Sequence, residues 1–415
     1  MVRVCDAIMG TGKSSAAITY INEHPERRFI YITPYLEEAA RIKQNCPDAN
    51  FIEPSSKLAK FQYKKSVHTA ALIKEGRNIA TTHQAFKGYD SSMLDGIRER
   101  GYTLIIDENV EILEEFAIHE DDLQMAVDAG YIREEDNSYV LANETYSGTA
   151  LRELFRMIRS RKLFKMPKEI TGDYAALFYW ILPSELILAF DDVFILTYLF
   201  QGQSIRYFLE MYSIPYEFIG IQKDNSGYRF CDPPGYIPEY VTTLKDKIHI
   251  LDHEKINEVG EDYHALSKSW FERDGEDVEQ LRKNMNNYYK HICGDTSADR
   301  RLWGTFKDAF TKVRGKGYTK GFLPFNTKAT NKYRDRDILS YPVNIFMNVN
   351  EKLFYQTNGI EVDEDLYSLS VMVQWIWRSA IRDGKEIWIY IPSRRMRELL
   401  MNCIDSFSKG GTADE

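Results

Sequence analysis

The chain has 415 residues, of which 44% are hydrophobic and 28% are charged, and its net charge at pH 7 is -9. This length is enough for two domains, and because no apolar run approaches the roughly 20 residues of a membrane span, we expect no membrane partner. Five scattered cysteines without metal spacing argue against a zinc site and suit a reducing cytoplasm. The negative net charge does not indicate nucleic-acid binding, but it does not exclude it, because a local basic groove matters more than the total charge.

A short strand followed by a glycine-rich loop opens the chain. Val2 and Val4 alternate with polar residues, and the run from Ala7 to Ser14 leads into a helix. Strand, glycine loop, Gly-Lys-Ser and helix are the layout of a phosphate-binding P-loop, although Ala7 stands where its first glycine is usual. Lys13 would reach the β- and γ-phosphates of a nucleotide, and the Ser14 hydroxyl would hold Mg²⁺. The alternative is a chance glycine-rich turn. The predicted nucleotide-binding residues are Ala7, Met9, Gly10, Thr11, Gly12, Lys13, Ser14 and Ser15.

Three further strands each end in short polar or acidic sequences. The strands are predicted at Arg28–Ile32, Asn78–Ala80 and Tyr102–Ile106, with helices between them. Alternating strands and helices predict a parallel α/β sheet, in which ligands bind at the carboxyl ends of the strands. The residues that follow the strands would therefore share one edge with the P-loop. They are Thr33 and Pro34, Thr82 and His83, and Asp107 and Glu108.

The acidic pair after the third of these strands has a chemical interpretation. Asp107 is placed to hold Mg²⁺ through water beside Ser14, and Glu108 is placed to orient and deprotonate an attacking water. The alternative is an acidic helix start, because further glutamates follow. A P-loop upstream favours the catalytic interpretation.

Composition and turn signals divide the chain into two halves. Residues 1–222 form a predicted first domain, with a helical insertion at about 111–180. The segment 223–240 contains Asn, Gly and Pro clusters and is the predicted linker. Residues 241–415 repeat the α/β pattern and form a predicted second domain.

A helix predicted at Tyr367–Arg382 carries three evenly spaced polar residues. Gln374, Arg378 and Arg382 are four residues apart, so they would share one helix face. Guanidinium groups on that face can reach a nucleotide held by the other domain and neutralise the transferring phosphoryl group. The alternative is a surface stripe paired with acidic residues.

The segment Asn326–Asn331 is rich in hydroxyl and amide side chains. Such groups suit contacts to a nucleic-acid backbone, as do basic residues nearby at 307–320. Together with the strand ends above, this segment supplies the predicted nucleic-acid contacts. They are Thr33, Pro34, Thr82, His83, Thr327, Lys328 and Thr330.

The order of these motifs resembles superfamily 2 helicases of the DEAD/DEAH-like group. The P-loop, Thr33-Pro34, Thr82-His83 and Asp107-Glu108 resemble motifs I, Ia, Ib and II, and the segment from Gln374 resembles motif VI. The resemblance departs at residues 107–110 (DENV), which lack the last acidic or histidine residue of motif II, and at Arg382, which follows Gln374 by eight positions instead of seven. It implies two RecA-like P-loop domains with parallel sheets and an ATP and Mg²⁺ site in the cleft between them. The catalytic residues it implies are Lys13, Glu108, Gln374, Arg378 and Arg382.

The compact size resembles helicases that bacteriophages encode. This implies an ATP-hydrolysing motor on single-stranded nucleic acid, with DNA favoured over RNA, in phage DNA replication or recombination. Other replication proteins would be partners, and the location would be the cytoplasm of the host. Two alternatives remain open: a terminase-type packaging motor, which needs a metal-binding carboxylate cluster in the second half, and a helicase-fold module that binds partners without unwinding.

Overall fold

The structure is a computed structural model that describes most of the chain. The described residues are 1–108, 110–135, 138–143, 148, 151–160, 163–165, 176–273, 275–294, 297–327 and 332–408. None of the helices in these ranges combines the length and the apolar character needed to cross a bilayer.

Strands in the described ranges fall into four sheets. In chain order they are β1 (Val2–Asp6), β2 (Arg28–Thr33), β3 (Ile79–Thr82), β4 (Tyr102–Asp107), β5 (Leu113–Ile118), β6 (Ile132–Glu135), β7 (Ser138–Leu141), β8 (Leu163–Lys165), β9 (Ala176–Ile181), β10 (Asp192–Thr197), β11 (Tyr216–Phe218), β12 (Gly220–Asp224), β13 (Gly227–Cys231), β14 (Ile248–Ile250), β15 (Arg301–Trp303), β16 (Ile338–Ser340) and β17 (Ile387–Tyr390).

Helices connect most of these strands. The helices of eight or more residues are Lys13–Glu23, Leu36–Asn45, Lys65–Lys74, Ser91–Arg100, Glu120–Asp128, Arg152–Ser160, Ser204–Met211, Glu276–Asn287, Val349–Thr357, Glu364–Ile376 and Arg394–Ser408. The shorter α-helices are His83–Phe86, Glu185–Leu188, Glu239–Thr242, Leu244–Lys247, Glu254–Asn257, Lys268–Glu272 and Phe310–Val313.

The first domain is built on a six-stranded sheet in the order β11-β1-β10-β4-β2-β3. Every neighbouring pair is parallel, so the carboxyl ends of all six strands lie at one edge. β10 lies between the strand that leads into the P-loop and the strand that ends in Asp107. The central strands are buried on both faces, which fits their runs of Ile, Leu, Phe and Tyr.

The second domain is built on a smaller sheet in the order β14-β17-β16-β15. It is also parallel throughout. Its core includes the fully buried Trp375 and Ile376 at the end of the helix Glu364–Ile376. The predicted α/β class with two parallel-sheet domains is confirmed.

A five-stranded antiparallel sheet interrupts the first domain between β4 and β10. Its order is β5-β9-β8-β7-β6, where the sequence predicted a helical insertion at about 111–180. That prediction is corrected, although helices do lie at Glu120–Asp128 and Arg152–Ser160. The sheet depends on antiparallel pairing of β5 with β9, in which Leu113 lies opposite Ile181. A strand signal in either segment does not say which distant segment it pairs with, so the sheet cannot be inferred from local sequence.

The predicted linker 223–240 contains most of an ordered antiparallel hairpin. β12 and β13 pair from Gly220 with Cys231 to Asp224 with Gly227, and the hairpin packs against the helix Lys13–Glu23. Arg229 Nη2 lies 2.8 Å from Glu23 Oε1. The segment therefore packs against one side of the P-loop helix and also connects the two halves of the chain.

One helix of the second half packs into the core of the first domain. Phe354 and Tyr355 of the helix Val349–Thr357 belong to the apolar cluster of the six-stranded sheet. The Tyr355 hydroxyl donates to the carbonyl of Ser204 (3.4 Å), and the Ser204 hydroxyl donates to Glu351 Oε1 (2.7 Å). The predicted boundary assigns this helix to the second domain, but its apolar contacts are with the first.

Candidate active site

A cavity of about 270 Å³ lies where the two parallel-sheet domains meet. It opens at the carboxyl ends of β1, β4 and β10, as the parallel sheet predicts. Both domains and the hairpin contribute to its walls. The lining residues are Met9, Gly10, Gly12, Lys13, Ser14, Ser15, Arg41, Asp107, Glu108, Leu196, Thr197, Tyr198, Tyr228, Gln374, Arg378 and Arg382.

The glycine-rich loop turns tightly between β1 and its helix. Gly10 and Gly12 have φ angles of +92° and +95°, a region that side chains with a Cβ rarely adopt. Thr11 is buried, and its hydroxyl donates to the carbonyl of Ile8 (2.8 Å). Thr11 therefore shapes the loop from inside, while the glycines let the backbone face the cavity.

Lys13 is held at the centre of the loop. Its Nζ donates to the carbonyls of Ala7 and Ile8, the latter at 3.2 Å. Burial lowers the pKa of Lys13, and the nearby Cys5 thiol and Asp6 carboxylate oppose that shift. Ala7 and Thr11 are thus part of the loop without lining the cavity itself.

Asp107 connects the P-loop helix to the sheet. Its Oδ2 accepts a hydrogen bond from Ser14 Oγ (3.0 Å) and another from the Tyr31 hydroxyl (2.7 Å). Burial raises the pKa of Asp107 to about 6, while the hydrogen bond from Tyr31 acts to lower it. Tyr31 could not be predicted from the sequence, because a tyrosine in a continuous apolar strand is indistinguishable from a core residue.

Glu108 lies on a strained turn directly after β4. Its φ of +64° is uncommon for a residue with a side chain, and its N–H donates to the carbonyl of Leu196 (3.1 Å). This conformation turns the carboxylate into the cavity. Glu108 Oε1 lies 3.5 Å from Nη2 of Arg378, so the two domains are joined by an ion pair at this point.

The helix that carries the predicted arginine face ends earlier than the sequence indicated. It stops at Ile376, and Arg382 lies on a separate 3-10 turn at Ala380–Asp383. The Ser379 hydroxyl donates back to the carbonyl of Ile376 (2.6 Å), a bond that competes with helix propagation. The predicted single helix face is therefore corrected.

The three predicted side chains nevertheless meet in the cavity. Gln374 comes from the last turn of the helix, and Arg378 and Arg382 come from the turns after it. Arg378 is buried, and among the described residues its Nε has no hydrogen-bond partner. Burial and the charge of Arg378 lower the pKa of Arg382. Arg378 is buried and Arg382 is half-buried, and two guanidinium groups lining one cavity suit a polyanion.

These residues fit a magnesium-bound nucleoside triphosphate. The loop offers backbone N–H groups and Lys13 to phosphates, and the hydrogen-bonded pair of Ser14 and Asp107 offers two oxygens to a hard cation. Arg378 lines the same cavity, and its Nε is a buried donor with no partner in the part of the chain that the structure describes. When bound, Mg²⁺ would neutralise phosphate charge.

Those predicted nucleic-acid contacts that the structure describes do not share one exposed surface. Thr33 is fully buried at the end of β2, so its side chain cannot reach a strand in this conformation, whereas Pro34 is half-buried. Thr82 accepts from the N–H of Ala85 as a helix cap (3.3 Å). His83 Nε2 donates to the carbonyl of Asp107 (3.0 Å), which ties the end of β3 to the acidic pair.

The remaining predicted contacts lie in the second domain. Thr327 is half-buried, and its N–H donates to the carbonyl of Pro324 (3.0 Å). Lys328 and Thr330 lie outside the described residues. The role of all three stays a prediction.

Several acidic residues that a packaging nuclease would require are engaged in ion pairs. Asp337 pairs with Arg300, Asp365 Oδ1 lies 2.5 Å from Nη2 of Arg395, and Glu364 pairs with Lys352 (3.0 Å). Within the described ranges, no group of three or more His, Cys, Asp or Glu side chains is arranged to hold a metal ion.

Besides Tyr31, three residues around the cavity are not among those that the sequence predicts. Arg41 lies on the helix Leu36–Asn45, which begins at the same sheet edge as the loop. That position in the chain could have indicated that Arg41 reaches the cavity. Tyr228 comes from the hairpin within the predicted linker, and no sequence motif marks it. Tyr240 donates from its hydroxyl to the carbonyl of Met9 (3.1 Å), a contact between the last residue of the predicted linker and the loop.

The fold and the cavity define a two-domain α/β protein with a P-loop at the domain junction. A protein of Bacillus subtilis (strain 168) described as "SPbeta prophage-derived uncharacterized protein YonV" is 37% identical over 410 residues, covering 98% of this chain and 99% of that one. The family described as "YonV C-terminal Rossmann-like domain" matches residues 242–404. The chain belongs to the YonV family.

Solved structures of low identity are also similar to this chain. One described as "XPD_APO" has a TM-score of 0.47 and 11% identity, and the match covers 97% of this chain and 95% of that one. Another, "Structure of S. tokodaii Xpd4", has a TM-score of 0.42 and 12% identity, with 96% and 93% covered.

Proposed function

We propose that this protein is an ATP-dependent motor that moves along single-stranded nucleic acid, with DNA favoured over RNA. ATP and Mg²⁺ would bind in the cavity between the domains, and hydrolysis would change how tightly the domains close. Such closure and opening shifts the grip on a strand. The prophage origin of the relative supports a role in phage DNA replication or recombination in the cytoplasm of a bacterial host.

The ion pair between Glu108 and Arg378 carries this proposal. Lys13, Ser14, Asp107 and Glu108 all come from the first domain, but the guanidinium group opposite them comes from the second. A site that is complete only when both domains meet couples chemistry to domain position. A single-domain kinase or switch protein does not need such an arrangement.

The geometry supports a task for each residue of this site. Lys13 and the loop would bind the phosphates, and Ser14 and Asp107 would hold the metal ion. Glu108 would orient a water and accept its proton, because its carboxylate projects into the cavity from a fixed turn. Arg378 would stabilise charge on the transferring phosphoryl group, with Arg382 and Gln374 beside it.

The ion pair also brings two of these roles together. Glu108 Oε1 lies 3.5 Å from Nη2 of Arg378, so the carboxylate and the guanidinium group reach the same part of the cavity. A triphosphate carries more negative charge than one carboxylate, so it would compete with Glu108 for Arg378.

Steady-state ATP hydrolysis tests the proposal most directly. We would measure turnover without nucleic acid, then with single-stranded DNA, RNA and duplex DNA in parallel. We expect stimulation of at least about tenfold by one single-stranded polymer, which would also identify the track. Turnover that ignores every nucleic acid would contradict the motor function and leave a nucleotide-binding module that recruits partners.

A further inference from the structure

The β12–β13 hairpin brings an aromatic ring to the nucleotide cavity. Tyr228 lines the cavity together with Lys13, Ser14 and Ser15. Its ring carbons lie so close to Gly12 that a Cβ built at Gly12 would be 2.3 Å from Tyr228 Cδ1. The ring therefore packs directly on the loop residue that precedes Lys13.

The hairpin is fixed on both sides of Tyr228. Arg229 pairs with Glu23 at the far end of the P-loop helix (2.8 Å), and Phe230 stacks on Phe194 of β10 with ring centroids 5.2 Å apart. Because both following residues are anchored to the first domain, the backbone of Tyr228 cannot swing away freely. The hairpin is therefore a fixed wall of the cavity.

The rest of the cavity offers little to a planar base. Its phosphate end is lined by Lys13, Ser14, Asp107, Glu108 and two arginines, which suit anions and a cation. Of the two tyrosines among its described lining residues, Tyr198 is buried and Tyr228 is half-buried. An aromatic base gains from contact with an aromatic side chain, and stacking of this kind tolerates any base.

We propose that Tyr228 contacts the base of the bound nucleoside triphosphate and is the residue that distinguishes a nucleotide from a bare polyphosphate. This inference rests on the proposed nucleotide site and adds its base-binding wall. Because stacking reads the face of a ring and not its hydrogen-bonding pattern, selectivity among ATP, GTP and CTP would be weak. Lys223, whose Nζ lies 5.6 Å from the Tyr228 ring centroid, adds a cation beside this wall.

The test compares two ligands that share phosphates and differ in the nucleoside. We would titrate the full chain with a non-hydrolysable ATP analogue and with inorganic tripolyphosphate, both with Mg²⁺. Tyr228→Ala should weaken binding of the ATP analogue about tenfold, consistent with the loss of one stacked base. Binding of tripolyphosphate should stay within about twofold, since the phosphate contacts remain. Tyr228→Phe should bind both ligands as the natural chain does.

Tyr236 provides the matched control. It also lies beside Lys223 (Nζ to ring centroid 5.3 Å), but it does not line the cavity. Tyr236→Ala should therefore change neither affinity. Thermal unfolding of each variant would verify that it is folded.

Three results would overturn the inference. Equal weakening of both ligands by Tyr228→Ala would mean that the ring only supports the loop. Tighter binding of both would mean that it obstructs the phosphate site, and no change would mean that it contacts neither. The motor proposal is tested by a different measurement. If nucleic acid did not stimulate hydrolysis, that proposal would fail, but Tyr228→Ala could still weaken binding of the ATP analogue more than binding of tripolyphosphate.

Discussion

The two domains contribute to the same cavity in different ways. In the first domain, Lys13 is already hydrogen-bonded within its loop, and Asp107 is held by Ser14 and Tyr31. In the second, Arg378 sits on an irregular turn with an unpartnered Nε among the described residues. Under the proposed function, the first domain would be preorganised for binding, whereas the second would hold a group that can change partners. Binding and the response to binding would then be separated between the two domains.

The largest expected effect comes from the preorganised half. Lys13→Ala should remove detectable ATP hydrolysis, because the loop loses the charge that binds the β- and γ-phosphates. Lys43→Ala, an exposed lysine on the next helix, is the control and should keep full turnover. Retained hydrolysis in the Lys13 variant would show that this loop is not the phosphate site.

A second prediction separates binding from chemistry within the same domain. Glu108→Gln should leave ATP affinity nearly unchanged and slow turnover by about 10²–10⁴-fold, since an amide cannot accept the proton of water. Binding would be measured by equilibrium titration and turnover by phosphate release. Glu99→Gln, at an exposed helix position, should alter neither quantity. Unchanged turnover in the Glu108 variant would mean that another residue orients and deprotonates the attacking water.

The third prediction addresses the adjustable half. Arg378→Ala should lower the catalytic rate by about 10²–10³-fold with little change in nucleotide affinity, because its contact strengthens as charge develops. Arg394→Ala removes an exposed arginine that pairs with Glu398 on the same helix, so it should change neither quantity. A loss confined to affinity would make Arg378 a binding residue, and the contrast between the domains would fail.

The smallest effect is a gain in stability. Asp107 has a folded-state pKa raised from 3.8 to about 6 by burial, so its contribution to stability is present below pH 4 and lost as pH rises through 6. Asp107→Asn keeps a hydrogen-bond acceptor for Tyr31 without a buried charge. The variant should therefore be more stable than the natural chain at pH 7.5 without Mg²⁺, by about 2–3 kcal/mol.

Urea unfolding at two pH values would check the sign of this effect. The advantage of the Asn variant should shrink to about half at pH 5, where the natural carboxyl is mostly protonated in the folded state. An advantage that does not depend on pH would mean that its origin is not the buried charge of Asp107. Hydrolysis by the variant should be lost, which makes this site an example of stability traded for function.

The sequence predicted the site better than it predicted the elements around it. Gln374, Arg378 and Arg382 were expected on one helix face, and they do meet in one cavity. The helix between them nevertheless ends at Ile376, because Ser379 bonds backwards and the N–H of Ala380 donates to the carbonyl of Arg336 (2.8 Å). Those partners lie elsewhere in the fold, so helical periodicity could not reveal them.

Local signals were informative where the chemistry is local. The P-loop, its helix and the acidic pair are contiguous motifs, and parallel-sheet geometry brings their strand ends together. Tyr31 and Tyr228 depend on which strand or hairpin packs against the loop, and the sheet β5–β9 depends on distant pairing. Long-range packing determines these features, and a single sequence contains no direct record of it.

The helix Val349–Thr357 has a consequence for how the chain is made. Phe354 and Tyr355 complete the apolar core of the first domain, although more than a hundred residues separate them from β13. Domains usually fold in order as they leave the ribosome. Here the N-terminal domain cannot bury its full core until most of the chain has been synthesised. The two halves therefore reach their final structures together, and a fragment ending at the hairpin would emerge with an exposed apolar surface.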